Sequence, residues 1–576
     1  MEARPTALPV IEFDNFSFKY DAQAKPTLYN LSFAIYPGEK VLILGPSGSG
    51  KSTLGQCLNG QIPNTFPGTM EGDIRIQGHS IKNASIFDLS LEVGSVLQDT
   101  DHQFVGLTVA EDLAFSLEND QVTQGEMKAR VTNWAKDLGL EKLLNLAPHD
   151  LSGGQKQRVS LAGVLINQVP ILLFDEPLAN LDPKTGRETM ELINQISHKH
   201  GLTSLIIEHR LEECLVADID RVLVIDQGRL AFNGSMNDLL HSDLLDQVGL
   251  RKPLYLKALE YAQVNLPTIP YLGDYQAIKL PDQILESVED WVMALEHNQL
   301  KQDAVDILTI NQLSFAYKDR TEKQLEDISF KIKKGQMVGI VGTNGAGKST
   351  LAKLICGFLR PQSGQIMLDN QDLKAWSIKE IADSIGFVLQ NPNQMISNHF
   401  IKDEVGLGLV YRGWSPDKIE TRVNQVLDIC GLFPFRNWPI SALSYGQKRR
   451  VTIASILALN PQVIILDEPT AGQDYRTQTK MMAFLQELNQ DHGITIIMIS
   501  HDMHLIQEYA QRCLVFDQGH LVADLVPSDL FNRPALLDQA HLVPTSLYLL
   551  GQDLPHLSAQ KFIDSFIAYE RGLDHG

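Results

Sequence analysis

Polar and apolar positions alternate along IEFDNFSFKY (11–20) and LSFAIYPG (31–38), and a period of two predicts half-buried strands. A short unbroken apolar run, Val41–Leu44, follows and leads into a glycine-rich turn and a helix-compatible stretch. Strand-sized apolar runs recur downstream, as ILLF at 171–174 and ITIIMI at 494–499, alternating with helix-compatible segments. Between Gln98 and Ser152 the period changes. Val131, Trp134 and Leu138 fall at i, i+3 and i+7, and Val423, Val426 and Cys430 take the matching places later in the chain. The pattern predicts an α/β fold, a mainly parallel sheet core with antiparallel β and α-helical subdomains.

The pattern also occurs twice. GPSGSGKST begins at Gly45 and GTNGAGKST at Gly342, 297 positions apart. Every later pair is offset by 292: VLQ ending at Gln98 and Gln390, LSGGQKQRVSLA and LSYGQKRRVTIA, FDEP and LDEP, EHR and SHD. Five residues are therefore missing between the glycine-rich loop and VLQ in the second copy. The period is too long for a solenoid and suits two homologous domains. The expected boundaries are 11–250 for the first domain, 251–305 for a connector, 306–540 for the second domain and 541–576 for a C-terminal appendage.

Composition narrows the class. The net charge of −21 argues against a protein that coats nucleic acid, which needs clustered Lys and Arg. Five cysteines, Cys57, Cys214, Cys356, Cys430 and Cys513, lie scattered without a CxxC pair, so zinc and iron–sulfur readings lack ligands. Cys430 falls on an apolar helix face and is expected in the core. No apolar run reaches the eighteen or so residues of a membrane helix, and MEARPTALPVIEF has no signal-peptide pattern. A cytosolic setting is the expectation.

Both glycine-rich loops fit G-x-x-x-x-G-K-[ST] between an apolar strand and a helix. Gly45, Pro46, Ser47, Gly48, Ser49, Gly50, Lys51, Ser52 and Thr53 make the first. Gly342, Thr343, Asn344, Gly345, Ala346, Gly347, Lys348, Ser349 and Thr350 make the second. Glycines let backbone N–H groups curl around an anion, and the helix start adds positive potential. Lys51 and Lys348 are placed to reach the β- and γ-phosphates, and the Ser52 and Ser349 hydroxyls to ligate Mg²⁺. Two such loops in equivalent context leave little room for chance, so nucleotide binding is expected in both domains.

ILLFDEP and VIILDEP put a carboxylate pair at the end of a buried strand. Asp175 and Asp467 suit the metal, whereas Glu176 and Glu468, one residue on, point elsewhere and suit a general base for water. An acidic strand end capping a helix is the competing reading. His209 and His501 end the next apolar strands, where recurrence favours a γ-phosphate sensor over an ordinary surface histidine. Gln98 and Gln390 gain from the same recurrence, as catalytic and metal-side candidates.

This order of motifs, closed twice by LSGGQ-type segments, resembles the ATP-binding cassette superfamily over about five-sixths of the chain. The resemblance implies two tandem P-loop cassettes packed head to tail, with ATP and Mg²⁺ held between the loop of one and the signature of the other. One site would then join Lys51, Ser52, Gln98, Asp175, Glu176 and His209 to Ser444, Gly446 and Gln447. The other would join Lys348, Ser349, Gln390, Asp467, Glu468 and His501 to Ser152, Gly153, Gly154 and Gln155. Tyr20 and Tyr317 match the family's adenine-stacking aromatics. Asp182 and Asp474 match its crossing loop, with a turn or cap aspartate as the alternative. Tyr445 replaces the first signature glycine, so its ring must point away from the nucleotide. Both copies keep Lys, Asp, Glu, Gln and His, which implies two competent sites, the Lys51 site being the slower.

Two kinds of work are open to such a chain. One is ATP-driven transport through separate membrane subunits, at the cytoplasmic face of the membrane. The other is a soluble twin cassette acting on ribosomes or nucleic acid, which the acidic balance and the absence of long insertions disfavour. QDTDHQFVGLTVAEDLAF (98–115) and QNPNQMISNHFIKDEVGLGL (390–409) resemble the glutamine-loop helix of energy-coupling-factor importers of vitamins and metal ions, although Thr100 stands where the second copy has Pro392. That likeness implies membrane scaffold and substrate-binding partners. Glu111, Asp112, Asp403 and Glu404 are then candidates to receive basic helices of the partner, with a solvated helix face as the alternative.

Overall fold

A computed structural model describes residues 8–97, 103–179, 181–273, 275, 278–295, 305–318 and 323–573. The chain divides into two compact units, Met1–Pro281 and Asp282–Gly576, a boundary inside the stretch expected as connector.

Each unit is built around two sheets. In the first, the alternating strand Ile11–Tyr20 pairs antiparallel with Leu28–Ile35 on one side and with Gly68–Ile76 on the other. The buried run Lys40–Leu44 lies at the centre of a six-stranded sheet. It pairs in parallel with Thr203–Ile207 and Arg221–Asp226, and Ile171–Asp175 and Val93–Val96 extend the same sheet in parallel beyond Thr203–Ile207. One antiparallel strand, Arg229–Gly234, closes the far edge. The second unit repeats this order around Met337–Gly342. Strands buried on both faces read as continuous apolar runs and those covered on one face alternate, which is why the two sheets were separable by pattern.

The apolar residues of both sheets share one core in each unit, around Phe16, Phe18, Leu54 and Ile207 in the first and Ile310, Leu351, Ile497 and Phe516 in the second. Helices Val109–Asn119 and Gln124–Asp137, with their counterparts Ile401–Val410 and Pro416–Ile429, form the expected insertions. Val131, Leu138, Val423, Val426 and Cys430 are buried there. All five cysteines are free and buried. The segments after each cassette also correspond: helix Leu254–Tyr261 in the first unit matches Ser546–Asp553 in the second. Helix Asp282–Ala294 belongs to the second unit, where Trp291 meets Tyr569 edge to face and the Glu289 carboxylate accepts the His556 N–H at 2.6 Å. Among the described residues no helix is long and apolar enough to cross a membrane.

Candidate functional site

The glycine-rich loops begin where the central strand runs out of room. A Cβ on Gly45 would stand 2.2 Å from the Ile225 carbonyl oxygen, and one on Gly342 1.8 Å from that of Phe516, so only glycine lets the backbone pass. Gly48 and Gly345 instead take positive φ (75° and 83°) with open space where a side chain would be. The loop is thus wedged against the sheet on one side and bare on the other, a shape fitted to an anion. Lys51 Nζ donates to the Gly45 and Pro46 carbonyls at 2.7 and 3.0 Å, and Lys348 Nζ to those of Gly342 and Thr343 at 2.7 and 2.8 Å. Each ammonium is stationed over its own loop.

The carboxylate pairs lie at the ends of Ile171–Asp175 and Val463–Asp467. Asp175 Oδ1 is buried with no hydrogen-bond partner among the described residues. Burial, reinforced by Glu176 and opposed by Lys51, pushes this carboxyl up to about 6. Burial raises Asp467 too, against the Ser349 hydroxyl, which donates to its Oδ2 at 3.1 Å. A buried strand-end carboxylate in each unit, with Asp175 Oδ1 unpartnered in the first and Asp467 joined by the Ser349 hydroxyl in the second, is oxygen chemistry that fits Mg²⁺.

Glu176 and Glu468 share a feature that the sequence does not announce. Both lie in the left-handed region, at φ 49° and 48°, which non-glycine residues seldom occupy without a compensating constraint. The constraint is the next strand, whose Ile207 and Ile499 carbonyls accept the two glutamate N–H groups at 2.9 Å. His209 Nδ1 comes within 3.7 Å of Glu176 Oε1, and His501 Nε2 within 3.4 Å of Glu468 Oε1. Glu468 also accepts from the His501 N–H at 3.1 Å and the Ser500 hydroxyl at 3.3 Å. Burial first, then Asp467, raises Glu468 to about 8. In place of Ser500 the first unit has Glu208, fully buried and accepting from the N–H groups of Leu178 (2.9 Å) and His209 (3.0 Å). Sequence reasoning passed over Glu208, although the contrast of EHR with SHD was the available signal.

The signature segments start helices Gly153–Leu165 and Tyr445–Leu457. Ser152 and Ser444 are their N-caps, and Gln155 and Gln447 close capping boxes by accepting the serine N–H groups at 2.9 and 3.0 Å. The two glycines are not equivalent. A Cβ on Gly153 would meet Leu181 at an ordinary 3.4 Å, whereas one on Gly154 would stand 2.5 Å from the Thr185 methyl, whose hydroxyl is tied to Asp182. Tyr445 therefore occupies the tolerant position, and its hydroxyl turns to the Gln390 carbonyl of its own unit at 3.0 Å. Gly153→Ala should leave the melting temperature unchanged or slightly raised, while Gly154→Ala should cost about 1–3 kcal/mol; thermal melting of the two variants checks the contrast.

Asp182 and Asp474 are helix N-caps, accepting from Thr185 N–H at 2.9 Å and Thr477 N–H at 2.8 Å. The Tyr20 hydroxyl bonds Thr53 (3.0 Å) and Gln56 (2.9 Å), and that of Tyr317 bonds Thr350 (3.2 Å), fixing each ring beside the helix that follows its phosphate loop. Gln98 lies outside the described residues, as does Thr100. Of the four carboxylates expected to face basic partner helices, three are engaged within the chain. Asp112 Oδ1 accepts from Val105 and Gly106 N–H (2.7 and 2.9 Å), Glu404 from Ser397 and Asn398 N–H (3.0 and 2.8 Å), and Glu111 closes a capping box with Thr108. Asp403 is exposed. Asp112 and Glu404 thus brace the loop ahead of the insertion helix through equivalent backbone N–H groups in both units.

Comparison with known proteins gives this geometry its family. A family profile described as ABC transporter matches residues 28–179 and 325–471. Another, described as ATP-binding cassette cobalt transporter, matches residues 242–315. An Enterococcus faecalis protein named as an ABC transporter ATP-binding protein is 52% identical over 568 residues, covering 99% of this chain and 100% of that one. A Lactiplantibacillus plantarum protein of the same name is 50% identical, covering 98% and 99%. A solved Clostridium perfringens structure, titled cbiO1, part of the ABC transporter complex cbiONQ, is 35% identical over 40% of this chain and 93% of its own, with a TM-score of 0.38. With the ABC transporter profile on both units and relatives matched from end to end, the chain belongs to the ABC transporter family, as an ATP-hydrolysing subunit that carries two ATP-binding cassettes.

Proposed function

We propose that the chain is the fused ATPase of an energy-coupling-factor-type importer, driving uptake of a metal ion, vitamin or similar small nutrient through separate membrane scaffold and substrate-binding subunits from the cytoplasmic face of the cell membrane. The observation that carries this reading is the intact duplication of lysine, strand-end carboxylates and histidine in a chain whose segment 242–315 matches a cobalt-transporter cassette profile. ATP is taken to bind at the glycine-rich loop of each cassette. Lys51 and Lys348 hold the terminal phosphates, Glu176 and Glu468 take a proton from the attacking water, and His209 and His501 orient those carboxylates. Mg²⁺, held by Ser52 with Asp175 and by Ser349 with Asp467, would neutralise the phosphate charge. Gln98 and Gln390 complete the two sites.

Exposed apolar side chains beside the insertion helices supply a surface for the membrane subunit. Leu107 (82% exposed) and Val105 precede helix Val109–Asn119, and Leu146 adjoins its first turn. Phe400 and Trp438 hold the equivalent place in the second unit. Isolated exposed leucines need no explanation, but the same place left apolar in both units favours docking. Purification of the tagged protein from detergent-solubilised native membranes should bring down a multi-helix scaffold and a small membrane protein. Leu107→Glu with Trp438→Glu should release them and leave basal ATP turnover in place. Recovery with ribosomes, or alone from the soluble fraction, would refute the transport reading.

A further inference from the structure

We propose that Tyr445 and Arg449 are positioning residues of the second cassette's own ATP site, fastening the backbone at Gln390 to the backbone at Glu468. Two residues one turn apart at the start of helix Tyr445–Leu457 make the contacts. The Tyr445 hydroxyl donates to the Gln390 carbonyl at 3.0 Å. Arg449, fully buried, donates from Nη2 to the same carbonyl and from Nη1 to the Glu468 carbonyl at 2.6 Å. Its guanidinium lies 5.6 Å from the centre of the Tyr445 ring, a cation–π contact that keeps the two side chains together. Lys448 Nζ adds a third link to the same loop, at 3.4 Å from Asn393 Oδ1.

The first cassette cannot build this fastening. Gly153 has no side chain, and Gln157 stands at the place of Arg449 and donates to the Pro177 carbonyl instead. There the chain leading to the glutamine is held from within its own loop: Gln103 Oε1 accepts the Leu97 N–H at 3.3 Å, and Gln103 Nε2 donates to the Ser95 carbonyl at 3.2 Å. The second cassette has Met395 at that position, with its sulfur 3.2 Å from Leu389 N. A thioether is a weak acceptor and donates nothing. The fastening has therefore moved from the loop to the signature helix. Tyr445 therefore acts within its own unit, on the site of Lys348.

The inference rests on assigning Gln390 and Glu468 to that site. Its test uses the full chain with the Lys51 site silenced by Glu176→Gln. In that background Tyr445→Phe, which keeps the ring and removes one hydrogen bond, should lower kcat about three- to tenfold with KM for ATP and melting temperature nearly unchanged. Adding Met395→Gln, the first cassette's fastening, should recover part of the loss. In the Glu468→Gln background Tyr445→Phe should change little. A fall confined to the Glu468→Gln background would make Tyr445 a signature residue of the other site and overturn the proposal. So would an unchanged kcat in both backgrounds. If the double variant Glu176→Gln/Glu468→Gln, with Tyr445 untouched, still turned over ATP at the full rate, the site assignment itself would fall first.

Discussion

ATP turnover by Glu176→Gln/Glu468→Gln should drop by roughly 10²–10⁴, the range that a positioned general base supplies, while ATP affinity stays within a few-fold. Each glutamate is fixed at the mouth of its site by a backbone bond to the adjacent strand and lies beside a histidine, so the amide keeps the shape and loses only the proton acceptor. The single variants should separate the cassettes. Glu468→Gln is expected to cost more than Glu176→Gln on the proposed assignment, in which the Lys51 site is the slower of the two. Steady-state hydrolysis together with equilibrium nucleotide binding checks both statements. If Glu176→Gln left turnover untouched while Glu468→Gln abolished it, the Lys51 site would be a binding site only.

Without nucleotide, Glu468→Gln should stabilise the protein at pH 8. Burial and the neighbouring Asp467 raise the Glu468 carboxyl from 4.5 to about 8. The unfolded chain releases this proton near 4.5, whereas the folded protein keeps it until about 8. Below that window both states are protonated and the group has no effect. As pH climbs through it the unfolded state binds fewer protons than the folded one, so stability falls. Asp175, raised to about 6, adds to the same trend. At pH 8 the glutamine should gain on the order of 3 kcal/mol, or several degrees of melting temperature, shrinking towards zero near pH 4.5. Melting curves of the nucleotide-free protein across that range test the slope. A gain that did not vary with pH would assign the effect to packing.

The elements that hold the sites were readable because their causes are local. Period-two and unbroken apolar runs separated the two sheets. Strand, glycine-rich loop and lysine are contiguous, and DEP follows its strand directly. What escaped depends on contacts between segments distant in sequence. Tyr445 meets Gln390 across 55 positions, and Arg449 meets Glu468 across 19. Asp112 and Glu404 looked like surface charge because the amides they accept from lie in an irregular loop with no periodicity to read. Glu208 was hidden for the opposite reason: a carboxylate at the end of an apolar run next to histidine resembled an ordinary strand terminus, and only the amides folded around it reveal its work.

The left-handed backbone at Glu176 and Glu468 has a consequence for anyone who tries to harden this protein. Glycine would occupy φ near 48° without strain, at a gain of about 1 kcal/mol or more per position. The buried carboxyl of Glu468 would vanish at the same stroke. A heat-resistance screen that counts survivors without measuring turnover would therefore be drawn early to these two codons, and its winners would be robust and idle. Any engineering campaign on this chain has to score work done, not endurance alone.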